Sequence, residues 1–476
     1  MCRVGTAHRP IMEYCGMSSH SIRLIVGLSA LVPMLVTGLP AAPSAPVTSL
    51  GVPGRDNATP WIAADGSLVA VTWGASTGAH ADVFVAVSRD GGITFDSPVR
   101  VNRENGEARL GGELPPRVAI VPRSVPRVTG DAAAARDILV LWTARGTSTA
   151  LKLARSRDSG RTFDVPLTMQ SPGAPGDRGW PALTADAQGT AHVLWLDHRG
   201  LAAEPRGSDH HTQAPHDGVA MARKSALYYA AAHPPASGTN ATVADRPDSL
   251  KPDTARDVVT EREITTGVCY CCKTAAAARP NGTLFTAWRQ VYPGNIRDIA
   301  FSMSGDAGRS FSPPVRISRD DWAINGCPDD GPALAVDRAG TAHVVWPTVL
   351  GGQQPQGAIF YASTVDGRTF TPRVRIATLG GQKPEHPQIA IDDGQRVVAA
   401  WDELVNGTRI AAVREVKRGP SGAASLGPIV RLSGDGPASY PVVAPTIDGL
   451  LAVWTSGAPG TSVIGVQRLL LPARTP

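Results

Sequence analysis

Half of the chain's six cysteines lie within four positions. The stretch GVCYCCKT, residues 267 to 274, contains Cys269, Cys271 and Cys272, and Cys327 lies further along in INGCPDDGP. Cysteines this close together suit a disulfide, a thiolate metal site for copper or zinc, or a redox-active centre. A disulfide would join Cys269 to Cys327, with Cys271 and Cys272 reduced or joined as an adjacent pair. The residues leave all three interpretations open, although CxCC matches none of the common zinc spacings.

An apolar segment near the N-terminus indicates export. LIVGLSALVPMLVTGL, residues 24 to 39, follows Arg23 and leads into PAAPSAP, an order typical of a secretory signal peptide. Its 16 residues are fewer than a membrane span needs, which is about 20. We therefore predict a signal peptide and upstream segment in residues 1–46, a secreted or periplasmic protein, and no membrane span after signal removal. The four remaining cysteines would then fold in an oxidising compartment.

The composition predicts an all-β fold. Of the 476 residues, 42% are hydrophobic and 18% are charged, which is the balance of a folded protein. The 50 glycines and 41 prolines, without a long helix-period stretch, indicate many turns and short strands. The net charge of +5 is spread thinly, with no Lys/Arg run and no basic stripe, so we expect no nucleic-acid partner.

One segment recurs along the chain. WPALTADAQGTAHVLW, GPALAVDRAGTAHVVW and HPQIAIDDGQRVVAAW each place a proline 14 residues before a final tryptophan. With two copies of spacing 13 and two looser copies, the segment ends at Trp73, Trp142, Trp195, Trp288, Trp346, Trp401 and Trp454. Self-similarity of this kind is the signature of a repeat fold, and the tryptophans count seven units.

A second motif follows the tryptophan in several units. SRDGGITF (88–95), SRDSGRTF (156–163) and SGDAGRSF (304–311) fit SxDxGxTF, and STVDGRTF (363–370) fits with its aspartate one place late. These are Asp-box, or BNR, repeats, and through them residues 47 to 470 resemble the sialidase (neuraminidase) superfamily of β-propellers. The Asp and Ser side chains of such a box hydrogen-bond the turn backbone, so the motif indicates a fold rather than an activity.

The resemblance and the strand pattern together predict a β-propeller. Each unit has two alternating apolar strands, a third that ends at the box and a fourth after it, which makes a four-stranded antiparallel blade. The repeat count favours seven blades over the six that are usual in sialidases. We predict one propeller domain over residues 47–476, with a long insertion at about 198–262. The N-terminal stretch APVTSLG should supply the fourth strand that the last unit lacks.

The loops that enter the innermost strands should converge at the mouth of the propeller, where a functional site is expected. The residues just before each innermost strand are Thr59, Trp180, Lys273, Gly331, His386 and Tyr440. His198 follows a second strand in WLDHRG, and Asp330 precedes Gly331. We predict that Trp180, His198, His386 and Asp330 bind substrate, and that the four cysteines lie at the same face.

The resemblance to sialidases also implies catalytic residues. Those enzymes use a tyrosine nucleophile activated by a glutamate, an aspartate acid/base and an arginine triad that grips the substrate carboxylate. The positions that match are Tyr440 as nucleophile, Glu385 or Glu403 as its activator, Asp82 as acid/base, and Arg199 and Arg289 as anion ligands. The first triad arginine of the family lies in an RxP motif, which is ATP at residues 58–60 in this chain.

Two hypotheses about function follow. The first is an exported sialidase-like propeller that acts on or binds glycans, in its fullest form an exo-sialidase-type glycoside hydrolase with a glycan or glycoconjugate as its partner. The second is a non-hydrolytic propeller that binds a metal or another protein through the Cys and His loops at its mouth. Copper or zinc is the metal that such residues would take.

Overall fold

The repeated segments fold as antiparallel sheets. The computed structural model describes residues 46–123, 136–201, 218–233, 261–324, 326, 328–351, 355–376, 378–418, 424–432, 434 and 436–471. Within these residues, 28 strands form seven four-stranded sheets. The innermost strands of successive sheets pack against one another in order, and that of the last sheet packs against that of the first. The fold is therefore a β-propeller of seven blades, the number that the repeat count favoured.

The strands of each blade follow one another along the chain. The first three blades contain β2 (Asp56–Asp65), β3 (Leu68–Thr77), β4 (His80–Ser88) and β5 (Val99–Arg100); β6 (Arg117–Pro122), β7 (Arg136–Ala144), β8 (Ala150–Ser156) and β9 (Leu167–Thr168); and β10 (Arg178–Ala185), β11 (Ala191–Asp197), β12 (Ala226–Ala232) and β13 (Arg262–Thr266). The next three contain β14 (Ala275–Ala278), β15 (Leu284–Tyr292), β16 (Ile296–Ser304) and β17 (Val315–Arg316); β18 (Ala333–Val336), β19 (Ala342–Leu350), β20 (Gln356–Thr364) and β21 (Val374–Ile376); and β22 (Gln382–Ile391), β23 (Val397–Val405), β24 (Thr408–Arg418) and β25 (Ala424–Arg431).

The seventh blade joins the two ends of the domain. It contains β26 (Ala438–Thr446), β27 (Gly449–Ser456) and β28 (Val463–Leu469), and its outer strand is β1 (Thr48–Leu50). Thr48, Ser49 and Leu50 pair antiparallel with Val466, Gly465 and Ile464. The prediction that APVTSLG completes the last blade is confirmed, and the ring closes through backbone hydrogen bonds.

The core of the protein lies between neighbouring blades. Both faces of each blade are covered, so the second strands are buried along nearly their whole length. One buried cluster, for example, joins Val71 and Phe84 of the first blade to Val453 of the seventh. The repeated tryptophans all lie on second strands and are at most 1% exposed. Their large apolar surface explains why the tryptophan is the most regular feature of the repeat.

The SxDxGxTF segments form the turns between third and fourth strands. In the first turn, the Ser88 hydroxyl donates to Asp90 (2.7 Å) and accepts from the Gly92 amide (2.8 Å), and the Thr94 hydroxyl also donates to Asp90 (2.5 Å). The turns at Asp158 and Asp306 repeat these bonds. Because strand direction alternates, these turns lie on the face opposite the loops that enter the innermost strands.

Helix is sparse in the part of the chain that the structure describes. A short 3-10 turn at Arg199–Leu201 and helix α1 (Gly218–Lys224) lie between β11 and β12. Most of the insertion predicted at 198–262, including its histidine-rich stretch, and the whole N-terminal apolar segment lie outside the described residues. Among the described residues, no helix has the length and apolar character needed to cross a membrane.

Candidate functional site

Four innermost strands share an irregularity at the mouth of the propeller. Thr59, Trp180, His386 and Tyr440 each precede a proline and have φ angles of 52°, 52°, 54° and 53°. The register of each strand shifts at that residue. A non-glycine residue in this left-handed region costs about 1–3 kcal/mol, and such strain is concentrated at functional sites. A bulge of this kind also redirects a side chain out of the regular strand pattern.

Three of the bulges, at Thr59, His386 and Tyr440, border a small cleft, which we call the axial cleft. Its cavity volume is about 20 Å³, and its lining also includes Trp61, Glu113 and Lys273. The rings of His386 and Tyr440 lie with their centroids 4.0 Å apart. A cavity of this size has room for about one water molecule and is far smaller than ligand pockets, which begin at about 300 Å³.

Asp402 at the end of β23 organises one side of the axial cleft. Its carboxylate is fully buried and accepts hydrogen bonds from His386 Nδ1 (2.8 Å) and from the Tyr440 backbone amide (2.7 Å). It also pairs with Arg409, whose other guanidinium nitrogen lies 2.6 Å from Glu385. Asp402 thereby ties together two blades and fixes two of the strained residues.

The charges around Asp402 set the protonation of its neighbours. Burial opposes a charge on His386, but the Asp402 carboxylate outweighs it and raises the pKa of His386 to about 9. Burial likewise works against the Asp402 charge, while His386 and Arg409 hold the pKa of that carboxyl below its usual range. Burial and the charge of Asp402 raise the pKa of Tyr440, so its hydroxyl stays protonated.

Lys273 joins the second group of charges. Its ammonium lies 3.3 Å from Glu113 Oε1 and 3.2 Å from Asp330 Oδ1, and all three side chains are buried. The other oxygen of Asp330 accepts from the His386 backbone amide at 2.9 Å. Asp330 therefore connects the Lys273 group to the Asp402 group. Buried charges of this kind are stable only when they are paired, which accounts for the continuous network.

Glu113 is the least satisfied member of the network. It lies in RLGGELPPR, the connection between the first and second blades, and this loop carries it over the axial cleft. Its Oε2 atom is buried and has no hydrogen-bond partner among the described residues. Burial raises the pKa of Glu113 to about 7, even though the charge of Lys273 opposes this. A carboxyl that is partly protonated near neutral pH can act as a general acid.

A larger cleft adjoins the axial cleft. Its volume is about 250 Å³, and its walls include Trp322, Asp330, Thr348, Lys383 and Glu385. Asp330 lines this larger cleft, while its partner Lys273 lines the axial one. One buried ion pair therefore separates the two clefts.

The three described cysteines lie in the loop before β14. Cys269 and Cys272 are buried free thiols whose sulfurs are 2.9 Å apart. The predicted bridge from Cys269 to Cys327 and the predicted adjacent pair of Cys271 with Cys272 are therefore wrong, because the loop folds the Cys272 sulfur onto Cys269. Cys327 lies outside the described residues. The three sulfurs lie within 4.8 Å of one another, but Cys271 is disulfide-bonded, so two free thiols are present for a metal. Copper or zinc at these thiols stays a prediction.

Two arginines surround the Cys269 thiol. Arg297 Nη1 lies 3.5 Å from Cys269 Sγ. Burial works against a charge on Cys269, but the Cys272 thiol and the guanidinium groups of Arg289 and Arg297 outweigh it and lower the pKa of Cys269. Burial and the neighbouring Cys269 raise the pKa of Cys272 well above its usual value. The two thiols thus differ in acidity although they are in contact.

The arginines predicted as anion ligands have other partners. Arg289 is 1% exposed and donates to the carbonyl oxygens of Asp330 (3.1 Å), Arg297 (2.7 Å) and Pro347 (2.8 Å). Arg199 pairs with Asp197 at 2.8 Å and lies over the Tyr228 ring. Neither arginine lines the two clefts.

Asp82, the predicted acid/base, also lies apart from both clefts. Its carboxylate on β4 is buried and accepts hydrogen bonds from Arg55 (2.6 Å), Asn102 (2.8 Å) and the Gly106 amide (2.7 Å). Burial works against the Asp82 charge, but these bonds hold the pKa of the carboxyl below its usual range. Of the predicted catalytic residues, the structure places Tyr440 and Glu385 at the clefts, and Asp82 and the two arginines elsewhere.

Trp180 and His198 lie beside the cysteine loop. Their ring centroids are 5.6 Å apart, and Trp180 packs against the three cysteines. Burial lowers the pKa of His198 to about 4, so the ring is neutral at pH 7. Its Nε2 atom is buried and has no partner among the described residues. Of the predicted substrate-binding residues, His386 lines the axial cleft and Asp330 the larger one.

Sequence reasoning did not assign Glu113 to the site. The second blade is a loose copy of the repeat, so the repeat does not mark the position of its entry loop. The signal in the sequence is a glutamate between two glycines and two prolines directly before an innermost strand. The spacing of the repeat predicts that Lys273 lies at the mouth, but its charge network depends on contacts between blades that no single repeat shows.

Comparisons with known proteins find solved structures of low sequence identity. No protein-family model matches the chain, and no curated protein matches it. Similar solved structures include a Hadza microbial sialidase, at 14% identity over 85% of this chain and 74% of that chain, with a TM-score of 0.44. A GH93 α-L-arabinofuranosidase of Fusarium graminearum is 11% identical over 89% and 96% of the two chains (TM-score 0.45), and an α-L-arabinanase of Penicillium chrysogenum is 12% identical over 90% and 98% (TM-score 0.44).

Proposed function

We propose that the protein acts on glycans at the axial cleft and cleaves a terminal sugar by general acid catalysis. The observation that carries this proposal is the buried, partly unsatisfied carboxyl of Glu113 beside Lys273 in a strained cleft. The larger cleft, whose volume is about 250 Å³, has room for part of a glycan, and Asp330 lies in its wall. The proposal includes export of the protein. In its narrowest form it also includes exo-sialidase specificity, in which the terminal sugar is a sialic acid.

Two carboxyl groups carry the proposed chemistry. Most glycosidases pair a protonated carboxylic acid with an ionised carboxylate across the scissile bond. Glu113, whose pKa is about 7, is the proton donor for the leaving oxygen. Asp330 is the carboxylate, because Lys273 and the backbone amides of Gly331 and His386 all donate to it. The Tyr440 hydroxyl, which burial and nearby charges keep protonated, donates a hydrogen bond to the sugar rather than attacking it.

Hydrolysis of fluorogenic 4-methylumbelliferyl glycosides, with the sialoside included, tests the proposal. We expect turnover of at least one terminal glycoside, and kcat should fall as the pH rises through about 7 and Glu113 loses its proton. Glu113→Gln should lower kcat by roughly 100-fold or more, the usual contribution of a positioned acid. Failure to cleave or bind any glycan in the panel, or full activity of Glu113→Gln, would disprove the proposal.

Two adjacent glycines provide a matched steric control. A Cβ atom on Gly112 would lie 2.2 Å from the Tyr440 hydroxyl, whereas one on Gly111 would meet only ordinary contacts at 3.7 Å from Leu114. Gly112→Ala should therefore weaken glycan turnover or binding, and Gly111→Ala should leave both unchanged. Equal effects of the two substitutions would place the ligand elsewhere.

We also propose that the protein is exported. The support is the apolar segment at residues 24–39, which follows Arg23 and precedes small residues. N-terminal sequencing of the protein recovered from the periplasm or culture medium should find a start shortly after residue 39. Recovery of the uncut chain from the cytoplasm would contradict this.

A further inference from the structure

The two thiols in contact beside Arg297 are not used by the proposed glycan chemistry. Cys269 and Cys272 have the spacing C-x-x-C, both are about 1% exposed, and their sulfurs lie 2.9 Å apart. A disulfide bond measures about 2.05 Å, so the sulfurs are within about 1 Å of bonding distance. Two thiolates on one tetrahedral zinc ion would instead lie about 3.7 Å apart. The separation therefore fits a dithiol better than a metal site.

The loop around the thiols is anchored on both sides. Gly267 has a φ of 74°, which only glycine adopts readily, and the Cys269 amide then donates to the Arg289 carbonyl at 2.8 Å. At the other end, the Thr274 hydroxyl donates to the Trp180 carbonyl at 2.9 Å. These two anchors fix the ends of the turn, so the approach of the sulfurs is part of the folded structure.

The charges nearby favour a thiolate at Cys269. Arg297 Nη1 donates towards Cys269 Sγ at 3.5 Å, while Arg297 Nη2 is buried without a hydrogen-bond partner among the described residues. A cationic group beside one cysteine of a C-x-x-C pair makes that cysteine the nucleophile of the pair. Cys272 then has the place of the resolving thiol.

We propose that Cys269 and Cys272 form a redox-active dithiol that a low-molecular-weight disulfide, such as oxidised glutathione, converts into a disulfide bond within the chain. The Cys269 thiolate attacks one glutathione sulfur, the glutathione S–S bond breaks, and one glutathione leaves as its thiol with the proton from Cys269. The Cys272 sulfur then attacks Cys269 Sγ, gives up its proton and displaces the second glutathione thiol. The protein loses two electrons and two protons, and the oxidant gains them.

The cover over the sulfurs limits the rate of this exchange. Trp180 and Tyr270 pack against the cysteines and leave them almost without solvent contact. An attacking disulfide needs access to the Cys269 sulfur, so the Tyr270 side chain must move before exchange. Tyr270→Ala should therefore increase the rate of oxidation several-fold. The equilibrium constant between dithiol and disulfide should not increase by the same factor.

The test is a titration of the purified full-length protein in glutathione buffers of graded potential. Cys271 in the same tryptic peptide, 263–273, is disulfide-bonded, so the digest is analysed without reduction. After acid quenching and alkylation, the species that contains this peptide should carry two alkyl groups at reducing potentials. At oxidising potentials it should carry none and be about 2 Da lighter than the unalkylated dithiol. Fragment ions should assign the protected pair to Cys269 and Cys272. In Cys272→Ser, glutathione should accumulate on Cys269, whereas Cys269→Ser should give neither product.

Two outcomes would overturn the proposal. The first is a wild-type peptide that keeps both thiols free at the most oxidising potential. The second is stoichiometric copper or zinc in the purified protein that is lost in both serine variants and protects the thiols from alkylation, which would make the loop a metal site. The first outcome is read from the wild-type protein alone, so it tests the proposal even if a variant fails to fold.

Discussion

Replacement of His386 by glutamine should remove a pH-dependent part of the protein's stability. The folded protein raises the pKa of His386 from the ordinary 6.5 to about 9, because the buried Asp402 carboxylate outweighs the effect of burial. This difference corresponds to about 3 kcal/mol, at about 1.4 kcal/mol for each tenfold change in proton affinity. The His386 side chain is only 12% exposed, so water screens the interaction little.

The sign of the effect follows from the direction of the shift. A base whose pKa is higher in the folded than in the unfolded protein stabilises the folded state fully below pH 6.5, and the stabilisation is lost as the pH rises through about 9. The difference in the free energy of unfolding between wild type and His386→Gln should thus be about 3 kcal/mol larger at pH 6.5 than at pH 10. Glutamine keeps a donor for Asp402, which limits other losses.

Urea denaturation followed by tryptophan fluorescence at pH 6.5 and pH 10 measures this difference. His343 offers a matched control, because it lies buried between Tyr361 (2.8 Å) and Asp337 (3.3 Å), and burial lowers its pKa to about 4. His343→Gln should therefore differ from wild type by the same amount at both pH values. If the free energy of unfolding of His386→Gln differs from that of wild type by the same amount at pH 6.5 and pH 10, the assigned role of the Asp402 charge is refuted.

Three further predictions test the fold. Gly465→Ala should cost about 1–3 kcal/mol, because a Cβ would lie 2.4 Å from the Trp454 ring, while Gly305→Ala, with open space around it, should be neutral within about 0.5 kcal/mol in the same urea assay. Leu50→Ala in the closing strand should cost about 2–4 kcal/mol of unfolding free energy, and an unchanged urea midpoint would show that β1 is dispensable. Asp158→Ala should cost about 1–2 kcal/mol by differential scanning calorimetry, since it removes the bonds that hold one SxDxGxTF turn; no loss of stability would mean that the turn forms without them.

The blades were predictable because their determinants are local and repeated. Each tryptophan fills the space between two sheets, and each SxDxGxTF segment satisfies its own turn backbone, so both constrain every copy in the same way. The residue before the proline that begins each repeated segment was also informative. His386 and Tyr440 occupy this position, and both line the axial cleft. Closure by β1 followed from counting strands in the last unit.

The site chemistry was less predictable because it depends on contacts between blades. Glu113, Lys273 and Asp330 come from three different parts of the ring, and no repeat contains the pattern that joins them. The arginine predicted as an anion ligand at position 289 is instead bound to three backbone carbonyls. For the cysteines, sequence equivalence between blades suggested a bridge from Cys269 to Cys327, whereas a tight turn within one loop determines the contact that forms.

The closing of the ring by β1 has a consequence for biogenesis. Thr48–Leu50 can pair with Val463–Leu469 only after that segment has been synthesised. The first strand to leave the ribosome therefore stays unpaired until almost the whole chain is made. Contacts across such a separation form slowly, and until then an unpaired edge is exposed on the seventh blade. A chain that stops before β28 would leave that edge open to pair with another molecule. Chaperones that hold the nascent chain are therefore expected to matter most during synthesis of the last blade.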